Sequence, residues 1–205
     1  MRAILNGFIF FNLIFLQVQA DPKVHRIISW SYFADIITDY CENRYPSFNT
    51  HKGQLFGDLF KLKVPQYVLV VNNGSDQAYP LLAAFYLRYF SRGIAYIDER
   101  GKKPDLRASS AIQKLNLLKF FQILDFNTLR EKKLDMLVFD CGFDENKLGE
   151  MMEVYQPFLK QNGLIWIDTS SSNEFGTNLH FKGMRPVHLS SFGDEIGFKL
   201  FKQAD

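Results

Sequence analysis

The chain has 205 residues, 47% of them hydrophobic and 22% charged, which is enough apolar side chain for one buried core and too much for a disordered segment. Its formal charge of +2 comes from Lys and Arg scattered among Asp and Glu, so no basic face is laid out for a phosphate backbone and nucleic acid is not expected as a partner. The 21 Phe and 9 Tyr fall inside apolar runs, where large rings pack a core more often than they stack on bases.

Residues 1–20 differ in kind from the rest. Met1 and Arg2 open an apolar run, broken by Asn6, Gly7 and Asn12, that ends in Val18-Gln19-Ala20 ahead of Asp21 and Pro22. A basic start, an apolar middle and small residues at alternate positions fit a secretory signal cleaved after Ala20, while an uncleaved anchor or a buried helix reads the same letters. The run is short for a bilayer span. The expectation is a protein of the secretory pathway, periplasmic or extracellular, tethered to a membrane where the signal is retained. Residues 21–65 are expected to form an N-terminal helical segment and residues 66–205 the main domain. Cys41 and Cys141 are too few for a disulfide scaffold and too far apart in sequence for anything local to force a bridge; buried thiols are expected, and a pairing stays open. His25, His51, His180 and His188 are isolated, so no zinc spacing is present.

In chain order, apolar residues three and four apart predict a helix over 28–45, ended by Pro46, and a second over 54–62, closed by Pro65. Gln66 to Asn72 is a continuous β-branched and aromatic run, as in a strand covered on both faces. It meets Asn73-Gly74-Ser75-Asp76 and then the apolar helix AYPLLAAFYLRYF, the strand, glycine turn and helix that open a βαβ unit. A second strand over 93–98 finishes on acids. A helix over 105–118, a short strand over 120–124, a charged turn at REKK and a strand over 134–140 follow. Residues 145–160 repeat apolar positions at helical spacing, with Gln161-Asn162-Gly163 as the expected terminator, and LIWID (164–168) is the next buried strand. Two short strands, 186–190 and 197–202, leave no room for a helix between them. The expected fold class is α/β: a doubly wound, mainly parallel sheet with an antiparallel C-terminal edge hairpin.

In such sheets ligands bind beyond the carboxyl ends of the strands, where the strand order reverses. That rule nominates the turn of Asn72, Asn73, Gly74 and Asp76, then Asp98, Asp140 and Asp168. The glycine turn permits close backbone approach, and the helix after it offers free N–H groups to a carboxylate or phosphate; a tight turn with a helix cap explains the same residues. Asn73-Gly74-Ser75 also fits the glycosylation pattern. Asp98 closes the second strand about 20 residues past the turn, the position from which an acid accepts hydrogen bonds from ribose hydroxyls. Asp140 and Asp168 each end a buried strand, and such a pair can hold a hard divalent cation, orient substrate hydroxyls or simply cap the following turns.

The run GQLFGDLFKLKVPQYVLVVNNGSDQ resembles the start of class I S-adenosylmethionine-dependent methyltransferases, with a helix ahead of the first strand and its glycine loop. LDMLVFDCGFDENKLGEMMEVYQPFLKQNGLIWIDTSS is similar to the stretch from the fourth to the fifth strand in the small-molecule O-methyltransferase branch, and SSFGDEIGFKLFKQ to its closing hairpin. The resemblance spans residues 53–203 and implies a Rossmann-like fold. It implies S-adenosylmethionine held by Asn72, Asn73, Gly74, Asp76, Asp98 and Asp140, with Asp140 also catalytic. It further implies a divalent cation such as magnesium at Asp140 and Asp168, and a small-molecule or protein methyl acceptor. Two departures accompany it. The first loop, VNNGSDQAYP, carries one glycine where the family has several, and Thr169 follows Asp168 where the metal-binding branch has Asn. The other reading is a non-catalytic binding protein that keeps the fold with an eroded cofactor site.

Overall fold

The computed structural model describes residues 50–72, 78–98, 116–140, 143–169, 181–187 and 198–203. The expected signal, the helix over 28–45, most of the one over 105–118 and both cysteines lie outside the described residues. The elements are α1 (Thr50–Lys63), β1 (Tyr67–Val71), α2 (Ala78–Tyr89), β2 (Ile94–Asp98), β3 (Phe121–Ile123), α3 (Phe126–Glu131), β4 (Leu134–Phe139), α4 (Glu145–Tyr155), β5 (Leu159–Asp168), β6 (Met184–Pro186) and β7 (Phe198–Gln203). No helix among the described residues is long and apolar enough to cross a membrane.

The strands form one seven-stranded sheet in the order β3-β2-β1-β4-β5-β7-β6. β3, β2, β1, β4 and β5 run parallel, and β7 lies antiparallel to both β5 and β6. From β1 the chain first moves outward through β2 and β3, then returns to β4 on the other side. The order therefore reverses between β1 and β4, which is where a parallel sheet leaves a crevice beyond its strand ends.

Both faces of the sheet are covered, which is why its strands read as unbroken apolar runs. Alternate residues of a strand point to opposite faces. Leu69, Val71, Leu137, Phe139, Ile165 and Ile167 pack with Leu148, Met151, Met152 and Tyr155 of α4. On the other face Trp166 meets Phe56 of α1, at 5.3 Å between ring centroids, and Tyr79 of α2, at 6.0 Å. α1 thus belongs to the same core as the sheet, although it precedes the expected boundary at 65/66. α2 is buried from Ala78 through Leu87, and Pro80 falls in its first turn, where a missing N–H costs nothing. The two helices approach closely because α1 offers glycine there. A Cβ on Gly57 would stand 2.7 Å from the Tyr86 hydroxyl oxygen, and that hydroxyl donates to the Gly53 carbonyl at 3.3 Å. Gly93 turns the chain into β2 with φ +92°, and a Cβ there would lie 2.4 Å from the Gln66 carbonyl oxygen.

Three expectations are corrected. REKK is not simply a turn: Phe126–Glu131 is a helix, capped by the Asp125 carboxylate accepting from Asn127 N at 3.0 Å, too short to show a period. The helix expected to run to Lys160 ends at Tyr155, because Pro157 cannot continue it; Gln156–Phe158 is a single 3₁₀ turn and β5 begins at Leu159. Gln161-Asn162-Gly163 is therefore a bulge inside β5, not a helix terminator. Leu134 pairs with Leu159 and Met136 with Leu164, and Asn162 takes φ 65° within the extra length. The penultimate strand is described at Met184–Pro186, and residues 188–190 of the span expected for it lie outside the described residues.

Candidate functional site

Register aligns the strand tips. Val71 pairs with Asp98 on one side and with Phe139 on the other, and Phe139 pairs with Ile167. Asn72 N donates to the Asp98 carbonyl at 3.0 Å, and Asp140 N donates to the Val71 carbonyl at 3.2 Å. Asp98, Asn72, Asp140 and Asp168 consequently stand in that order along one rim, on either side of the point where strand order reverses. Asn73, Gly74 and Asp76 lie outside the described residues. Asn72, Asp140 and Asp168 are buried, while Asp98 is part-exposed.

Two of these acids are engaged by side chains that the sequence did not nominate. The carboxylate of Asp168 accepts from Lys52 Nζ, 3.0 Å from both Oδ1 and Oδ2, and from the Tyr79 hydroxyl at 2.7 Å on Oδ2. Lys52 is only 1% exposed. It comes from the first turn of α1, and Tyr79 from the first turn of α2, so both helices start beside the tip of β5. Asp98 Oδ2 accepts from the hydroxyl of Tyr155, a buried residue at the end of α4. A signal for Lys52 was present: it lies four residues before Phe56 and on the helical face of Leu59 and Phe60, in an apolar stripe. No such signal singles out Tyr79 in a helix buried all round, or Tyr155 in the α4 stripe.

Burial pushes the Tyr79 hydroxyl well above its usual pKa, and the neighbouring Asp168 charge and hydrogen bond add to this. The folded protein then keeps a proton that the unfolded chain releases above about pH 10, so stability falls as pH rises past that point. Below it the contribution is intact. Tyr79→Phe is expected to flatten the alkaline limb of the stability profile, by up to about 1.4 kcal/mol per pH unit. At neutral pH it should cost about 1.5–3 kcal/mol for the lost bond to a carboxylate. Urea denaturation of both proteins across the alkaline range reads both effects; parallel limbs would remove Tyr79 from the account.

The rim offers hydrogen-bond acceptors at Asp98, an amide at Asn72 and buried carboxylates at Asp140 and Asp168. Among the described residues no group of three or more His, Cys, Asp or Glu is placed to hold a metal ion. The Asp168 carboxylate already has a cation, the Lys52 ammonium, against it.

No protein-family model matches the sequence, and no curated protein is significantly similar to it. Solved structures do match. A protein described as a caffeoyl-CoA O-methyltransferase from Staphylococcus aureus superposes with a TM-score of 0.59 at 14% identity, covering 98% of this chain and 100% of its own. An O-methyltransferase from Bacillus cereus, in complex with S-adenosylhomocysteine, gives 0.56 at 14% identity over 77% of this chain and 82% of its own. A methyltransferase from Geobacter sulfurreducens gives 0.54 at 19% identity over 91% and 90%. The chain has the Rossmann-like fold that these methyltransferases share.

Proposed function

We propose that this chain is an S-adenosylmethionine-dependent methyltransferase acting on an oxygen or nitrogen nucleophile of a small molecule or protein. The observation that carries the reading is the single rim of Asp98, Asn72, Asp140 and Asp168 at the point of strand-order reversal. Its place matches where this fold binds ligands. Asp98 fits a ribose diol: it is part-exposed at the tip of β2, and the Tyr155 hydroxyl on Oδ2 steadies the carboxylate. Asn72 and the first turn of α2, which follows β1, suit the anionic end of the cofactor. Bound S-adenosylmethionine supplies a sulfonium methyl group. The protein's own share is alignment of donor and acceptor and exclusion of water, so its contribution to rate is chiefly proximity. Asp140, on the strand beside Asn72, is the candidate to orient the acceptor.

The test is calorimetry of the full chain with S-adenosylhomocysteine. Binding is expected, and Asp98→Ala should weaken it by about 10–100-fold, the loss of one or two hydrogen bonds to a charged group. Unchanged affinity would take Asp98 out of the site. Absence of binding at millimolar ligand would favour the second reading, a binding protein that keeps the fold without catalysis. That reading has its own support in the engagement of the Asp168 carboxylate by Lys52 and Tyr79. The proposal includes export through the secretory pathway with residues 1–20 as the signal; mass spectrometry that finds a mature chain beginning at Asp21 would support cleavage after Ala20.

A further inference from the structure

Asp140 and Asp168 close neighbouring strands, and both side chains are buried. Two adjacent carboxylates have the donor chemistry for a hard divalent cation, and without a compensating positive charge they are costly to bury. The positive charge comes from the chain itself. Lys52 Nζ sits equidistant from the two oxygens of Asp168, at 3.0 Å, and is shut off from solvent. Tyr79, which also feels the Asp140 charge, donates to the same carboxylate. A dication drawn to this pair would be bound at about 2.0–2.6 Å from a carboxylate oxygen, which sets it close to a fixed ammonium. The two cations repel in a buried site where screening is weak.

We infer that Lys52 is the resident cation of this rim, and that the Asp140–Asp168 pair takes no divalent metal. Lys52 is a positioning residue. It holds the Asp168 carboxylate and fastens the first turn of α1 to the tip of β5, so the Asp140–Asp168 pair brings no Lewis acid to the rim. The inference rests on the geometry of the rim and not on the methyl-transfer reading, and it is tested with metal alone.

The experiment uses the full chain with millimolar magnesium for thermal unfolding, and with manganese followed by electron paramagnetic resonance. The wild type should unfold at the same temperature in magnesium and in chelator, and should leave the manganese signal unbound. Lys52→Gln, which keeps the length and removes the charge, should bind manganese about tenfold or more tightly than the wild type does. It should also gain a few degrees of stability from magnesium. Lys52→Arg should be as indifferent to metal as the wild type. Stoichiometric metal binding by the wild type, lost in Asp168→Asn, would overturn the inference, and so would a folded Lys52→Gln protein that ignores both metals. If Lys52→Gln fails to fold, the wild type and Lys52→Arg still decide the matter.

Discussion

Replacing Lys52 by Met should lower the unfolding free energy by about 3–5 kcal/mol, the loss seen when one partner of a buried ion pair is removed. In a domain whose total is about 5–15 kcal/mol, that is a large share. The cost comes less from the missing attraction than from what remains. Asp168 stays buried beside Asp140 on the adjacent strand, with the Tyr79 hydroxyl still donating to it and the Lys52 ammonium gone. The repair follows from the same physics. Combining Lys52→Met with Asp168→Leu and Tyr79→Phe removes the charges together with their donors, and apolar replacements of similar volume are often neutral or stabilising. Urea denaturation at neutral pH should therefore find the triple variant more stable than Lys52→Met alone. A single variant that unfolds like the wild type would show that Asp168 finds another counter-charge.

Much of this architecture was legible because parallel strands covered on both faces must be apolar throughout. YVLVV, IAYID and LDMLVF each announce a buried strand, and the acid or amide just after or at the end of each marks the rim. Parallel pairing then brings those ends together without further instruction. What stayed hidden depends on contacts made across long stretches of chain. Tyr155 meets Asp98 across 57 residues and Lys52 meets Asp168 across 116, and local periodicity carries no information about such partners. The helix at Phe126–Glu131 was missed for another reason: six residues give less than two turns, so only its Asp125 cap spoke for it. At Gln161-Asn162-Gly163 the turn chemistry was visible, but a left-handed residue serves a strand bulge as readily as a helix end.

Trp166→Ala should cost about 3–5 kcal/mol, the range for deleting a large buried ring. The ring is fully buried and stacks on Phe198 with centroids 4.3 Å apart and planes 2° from parallel. Phe56 meets it edge-on at 73°. Its backbone pairs with Val138 of the parallel half and Leu200 of the antiparallel strand β7, so this one residue lies where both halves of the sheet and helices α1 and α2 converge. The cavity left by Ala would be walled by strands held on both sides, which gives it little room to collapse. For a domain of this size each kcal/mol lowers the melting temperature by roughly 2–4 °C. Trp166→Phe keeps a ring against Phe198 and should lose less than half as much. Because Phe56 and Tyr79 lean on the same ring, Trp166→Ala should also loosen the start of α1 and with it the hold of Lys52 on Asp168. Combined with Lys52→Met, the two losses should then sum to less than their separate values. Strict additivity would mean that the Trp166 ring and the Lys52–Asp168 pair do not support each other.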